Sequence, residues 1–241
     1  MQAPLLVPSH REFLLRRLHS LSGVFPVGVF LIEHLWINAK ATAGQPAFDR
    51  AVRELNHLPL LPLVEIFGIF LPLGFHALYG VKLAFESQPN VGKYPISSSW
   101  LYTMQRVTGL LAFAFIAWHL WEFRIAKLLG RIGTDDFYPR LVSHLSSTVS
   151  GVPLLAVVYL IGVAAAVLHL AVGLWVFCFS WGLCVSRRSQ RLFAAAFAAM
   201  GAIVFVLGVT TVLYFATGVR FLSIHGSSSS STLDRCSVVD P

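Results

Sequence analysis

The chain has 241 residues, 56% of them apolar and only 12% charged, with a mean hydropathy of +0.71. Typical soluble domains carry roughly 25% charged residues, so a water-soluble globule and a disordered chain are both excluded. The net charge of +7 does not mark a nucleic-acid binder, because the basic residues stand singly between apolar blocks.

Five stretches are long enough to cross a bilayer core, which takes ~20 apolar residues of helix. They run over about 18–38, 60–85, 100–123, 152–183 and 192–217. The fold class expected is therefore an all-α membrane protein with five transmembrane helices. Residues 1–220 form one transmembrane domain, and 221–241 are a Ser-rich tail expected to be disordered. Arg11, Arg16 and Arg17 lead into a long first span with no small-residue cleavage site, which reads as a retained helix rather than a signal peptide.

The connections are read as polar loops. Lys40–Pro59 carries Gly44, Pro46 and Pro59, and Glu86–Ser99 carries Pro89, Gly92 and Pro95. Arg124–Gly151 carries Gly130, Gly133 and Pro139, and a tight basic turn with Arg187, Arg188 and Arg191 precedes the fifth span. Of the 18 Lys and Arg, nine fall on each side of the membrane, so a raw count gives no orientation. The arginines on the N-terminal side lie closer to the span ends, which favours a cytoplasmic N-terminus. Cys178, Cys184 and Cys236 form neither a disulfide framework nor a metal motif, and Cys178 and Cys184, in an apolar run, read as plain core or lipid-facing residues.

Apart from His19 at the edge of the first span, four histidines stand inside spans, one in each of the first four: His34, His76, His119 and His169. A polar ring in hydrocarbon needs a partner or a function. For any one of them a hydrogen bond to a neighbouring helix would suffice, but four together form a pattern. With helices alternating up and down at 1.5 Å per residue, His34 is level with His119 and His76 with His169, the pairs ~15 Å apart in height. Imidazoles facing each other across a bundle can hold haem iron from both sides. Zinc would need four convergent ligands, which two separated pairs do not supply. The first four helices are thus expected to form a bundle around two haems.

Neighbouring residues fit a flat macrocycle. Gly80 and Gly173 follow His76 and His169 by four residues on the same helix face, and Gly162, Ala165 and Ala166 lie along a similar face. Phe30, Phe115 and Phe123 are four residues from His34 or His119 and can wall the ring. His19, Ser22, Lys82 and Arg106 are candidate propionate contacts. Glu65 lies three turns before His76, at the height of the His34/His119 pair, and is a candidate proton carrier. Glu33 and Glu122, nearer their span ends, read as wet carboxylates.

The segments RRLHSLSGVFPVGVFLIEHLWIN (16–38), LPLGFHALYGVKLAF (71–85) and QRVTGLLAFAFIAWHLWEFR (105–124) resemble the large single-chain, five-helix, di-haem cytochrome b subunit of succinate dehydrogenase and fumarate reductase. The resemblance covers roughly residues 11–185. It implies a membrane anchor for a flavoprotein subunit and an iron–sulfur subunit in the bacterial cytoplasmic membrane, with a cytoplasmic N-terminus. It implies two b haems, the one nearer the iron–sulfur subunit on His76 and His169 and the distal one on His34 and His119. It also implies a quinone site beside the distal haem, with menaquinone favoured over ubiquinone and Glu65 the positional candidate for its proton. A higher oligomer of the complex is a further expectation. Two other readings remain at this stage: the cytochrome b subunit of a hydrogenase or formate dehydrogenase, and a haem-free anchor or proton-relay protein.

Overall fold

The computed structural model describes residues 9–86 and 97–222. The expected loop residues Pro89, Gly92 and Pro95 lie outside this range, as does all but the start of the 221–241 tail. Among the described residues, five helices are long and apolar enough to cross a membrane. They are α1 (His10–Ala43), α3 (Leu61–Glu86), α4 (Trp100–Leu128), α6 (Leu154–Ser180) and α7 (Arg187–Thr217). Two shorter helices, α2 (Gln45–Asn56) and α5 (Phe137–Ser146), join them outside the spans.

The ends follow local chemistry. Ser9 and Glu12 form a reciprocal capping box, so α1 begins at His10, well before the expected Leu18. Ser186 caps α7 by accepting from the Ser189 N–H at 3.1 Å. The three arginines expected in a turn therefore stand in the first turns of α7. Gly218, at φ 73°, ends α7 in a left-handed cap and gives its N–H to the Tyr214 carbonyl. α6 stops at Ser180 rather than Leu183, followed by Gly182 at φ 72°.

Two stretches read as polar loops are amphipathic helices. α2 buries Phe48 and Val52, and α5 buries Leu141 and Leu145. Their apolar residues are few, but at helical spacing they close the end of the bundle, with Phe48 and Tyr138 meeting Phe215 of α7.

α1, α3, α4 and α6 form a ring of neighbours: α1 packs on α3, α3 on α4, α4 on α6, and α6 on the Gly23–Gly28 turn of α1. α7 lies outside this ring, against α6 and the later half of α1. Small residues allow that approach. Gly201 meets Ala171, and Gly208 meets Val163 so closely that an added Cβ would stand 2.6 Å from it. At the end where α1 begins, the Arg17 guanidinium donates to the Ser180 carbonyl at 2.6 Å, satisfying an orphan acceptor at the end of α6. The buried Cys178 and Cys184 lie in the same region as packing residues.

Three of the ring helices contain a wide π turn: Gly23–Gly28 in α1, Val64–Phe70 in α3 and Trp121–Ile125 in α4. In α1 the turn contains Pro26, and Phe25 leaves helical geometry at φ −138°, ψ 113°. Such turns re-aim the side chains that follow, and each of the three carries or adjoins a candidate functional residue.

Candidate functional site

α1 and α4 are diagonally opposed in the ring, as are α3 and α6. Each diagonal carries one pair of imidazoles. The His34 and His119 ring centres are 5.9 Å apart at 77°, and those of His76 and His169 are 6.1 Å apart at 76°. An imidazole nitrogen lies ~2 Å from a metal it ligates, so two rings facing one metal from opposite sides have centres ~6 Å apart. The residues present therefore fit a six-coordinate haem iron at each pair. Among the described residues no three His, Cys, Asp or Glu converge as a metal cluster.

The heights agree along two separate helices. On α1, Gly23 abuts His76 and His34 faces His119, 11 residues later. On α4, Gly109 abuts His169 and His119 follows ten residues later. Both intervals correspond to ~15 Å of helical rise.

The hydrogen bonds settle which nitrogen of most rings is free. His76 gives its Nδ1 proton to the His19 backbone carbonyl at 3.0 Å, and His169 gives its own to the Gln105 carbonyl at 3.0 Å. A carbonyl can only accept, so both rings keep the Nε2 lone pair for a metal. His119 Nδ1 stands 3.2 Å from the Tyr159 hydroxyl, whose own proton goes to Glu122 at 3.4 Å. That order again leaves Nε2 of His119 free. His34 differs: its Nε2 accepts from the Asn38 amide at 3.3 Å, and the same amide makes a shorter 2.7 Å bond to the His34 carbonyl. Metal binding at that nitrogen would replace only the longer contact.

Phe30, Phe115 and Phe123 surround the His34/His119 pair at ring-centre distances of 5.4, 5.8 and 5.1 Å. The glycines at the imidazoles are not those expected. Gly80 faces His19 and Gly173 faces Gln105, while Gly23 and Gly109 abut His76 and His169. A Cβ on Gly23 would stand 2.2 Å from His76 Cε1, and one on Gly109 would stand 2.8 Å from His169 Cε1. Both partners come from a neighbouring helix, which spacing within one helix cannot reveal. Gly162 opens space for the Phe115 ring.

The remaining candidates separate. The His19 ring stacks on His76 at 4.2 Å and 9°, and the Ser22 hydroxyl donates to the His19 carbonyl at 3.0 Å, so both belong to the His76/His169 site. Lys82 pairs with Glu86, and the Arg106 guanidinium donates to the Ala84 carbonyl. Glu65, in the π turn of α3, forms an ion pair with Arg124, five residues beyond His119 on α4. Glu122 corrects the expectation of a wet carboxylate: it is buried, 9% exposed, because α5 folds back and brings His144 against its carboxylate. Tyr159 and His144, which complete this group, carried no signal in the sequence, since contact across helices is what gives them meaning.

Residues 86–211 match the family of succinate dehydrogenase/fumarate reductase transmembrane subunits. The chain is also 44% identical over 183 residues to the succinate dehydrogenase cytochrome b558 subunit of Bacillus subtilis (strain 168), a match covering 76% of this chain and 87% of the relative. The chain belongs to this family. The matched segment takes in α4, α6 and most of α7, and so carries His119 and His169.

Proposed function

We propose that this chain is the membrane-anchor cytochrome b subunit of a succinate:quinone oxidoreductase, carrying electrons between an iron–sulfur subunit and membrane quinone. The observation that carries the reading is the presence of two opposed imidazole pairs on the two diagonals of one four-helix ring. Family membership supports the succinate complex over a hydrogenase or formate dehydrogenase. The named relative is a cytochrome b, which supports haem b as the group held.

In this reading His76 and His169 hold the haem nearer the iron–sulfur subunit, and His34 and His119 hold the distal one. Two b haems, when bound, supply one-electron carriage between partner and quinone. Each haem would be held by two imidazoles, a donor set that favours electron transfer over ligand chemistry at iron. The His19 and Gln105 carbonyls fix two of the rings in one tautomer. Glu65 exchanges a proton with a quinone oxygen beside the distal site, and Arg124 holds its carboxylate in place. Menaquinone is the favoured quinone. Succinate and fumarate react on the flavoprotein partner, and either net direction is compatible with this chain.

The proposed location is the bacterial cytoplasmic membrane, with the N-terminus cytoplasmic. The basic first turns of α7 and the basic start of α1 lie at one end of the bundle, where Arg17 also reaches the end of α6, which supports that orientation.

The test is affinity purification of the tagged chain from native membranes. A flavoprotein and an iron–sulfur subunit should co-purify, and succinate should reduce the haem bands. Co-purification with a hydrogenase or formate dehydrogenase instead, or haem bands that succinate leaves oxidised in the intact complex, would overturn the reading.

A further inference from the structure

The two imidazole pairs are braced differently. Both rings of the His76/His169 pair give their Nδ1 protons to backbone carbonyls. His119 gives its own to a side chain: its Nδ1 meets the Tyr159 hydroxyl at 3.2 Å. Tyr159 in turn donates to the Glu122 carboxylate at 3.4 Å, and the other Glu122 oxygen pairs with His144 of α5. Tyr159 is 6% and Glu122 9% exposed. The group thus runs from a candidate iron ligand through a hydroxyl to a buried carboxylate. Arg140 and Arg131 line, with Glu122, Trp118, Trp121 and Ala126, a cavity of about 200 Å³ at its far end.

We propose that Tyr159 and Glu122 are positioning residues for His119, setting the electron density of that imidazole and thereby lowering the reduction potential of the haem it holds. The inference rests on the reading that His34 and His119 ligate a haem. A carboxylate accepting the tyrosine proton makes the phenolic oxygen a stronger acceptor for the imidazole N–H. An imidazole that donates to a stronger acceptor is a more basic ligand and favours the more positively charged, oxidised iron. Such outer partners also fix ring orientation and tautomer. The backbone carbonyls at His76 and His169 exert no such side-chain control, so substitutions at Tyr159 or Glu122 act on one haem and leave the other as an internal reference.

The two haems are resolved by spectroelectrochemical titration of the purified complex, the distal one being assigned by its absence from the His34→Ala complex. Tyr159→Phe and Glu122→Gln should both retain two haems per chain. Both should shift the distal midpoint potential upward, Tyr159→Phe by more, with the proximal potential unchanged. Should Tyr159→Phe lose the distal haem, Glu122→Gln decides, because it keeps the hydroxyl beside His119. A distal potential unmoved in Glu122→Gln, or equal shifts in both haems, overturns the proposal. A wild-type complex with no haem at all would instead overturn the ligand reading beneath it.

Discussion

His76 gives its Nδ1 proton to the backbone carbonyl of His19, 3.0 Å away, so a residue of α1 fixes the tautomer of a ring on α3. The same contact stacks the two imidazoles at 4.2 Å. With Nδ1 committed, Nε2 keeps its lone pair, and the ring of His169 stands 6.1 Å away, so the two imidazoles are placed to serve as one ligand set in the proposed reading.

The pairing predicts selective haem loss. His169→Ala should lower haem content from two per chain to one and leave the His34/His119 haem spectrally intact. His34→Ala should remove the other. Haem counted per chain after pyridine extraction reads both results, and two haems retained in either variant would show that the pairing is wrong.

Close approach predicts that Gly23→Ala is damaging although the change is one methyl. The added Cβ would stand 2.2 Å from His76 Cε1, and forced overpacking of this kind costs ~1–3 kcal/mol. The His76/His169 haem should be lost or bound loosely, while Gly74→Ala, with nothing within 4 Å of its added Cβ, should be silent. Haem stoichiometry and thermal stability in detergent check the contrast; equal behaviour of the two variants would refute it.

Much of this was legible in the sequence, because a membrane constrains depth so strongly. A helix rises by a fixed amount per residue, so four histidines in alternating helices sort into level pairs before any contact is known, and the structure brings His34 to His119 and His76 to His169. What stayed hidden depends on rotation and on contacts between helices. Gly23 and Gly109 touch imidazoles of other helices, so their offsets from those histidines along the chain carried no meaning. Glu122 looked wet because it is near a span end, and only the fold-back of α5 buries it. The sequence of α2 and α5 reads as loop because each carries a proline and glycines precede it, and four apolar residues at helical spacing are a weak signal until an end of a bundle receives them.

Glu65 carries the proton-transfer prediction. Glu65→Gln keeps the shape and removes the proton exchange, so quinone-linked turnover should fall by ~10²-fold, the lower range for loss of a general acid–base. Both haems should remain, since Glu65 pairs with Arg124 rather than with an imidazole. Turnover equal to wild type would return Glu65 to a purely structural partner of Arg124.

Outside the membrane, Leu145→Ala should destabilise the end of the bundle. Leu145 is 1% exposed in the core that joins α5 to α6 and α7, and truncations of this type cost ~2–5 kcal/mol. The apparent Tm of the purified complex should drop. An unchanged Tm would mean that α5 contributes little to the closed end.

The most direct measurement is a dithionite-reduced minus oxidised visible spectrum of the purified complex, with haem quantified per copy of this chain. Two low-spin b haems per chain are predicted, one for each imidazole pair. A well-folded, partner-bound preparation without haem would contradict the reading of these four histidines as iron ligands.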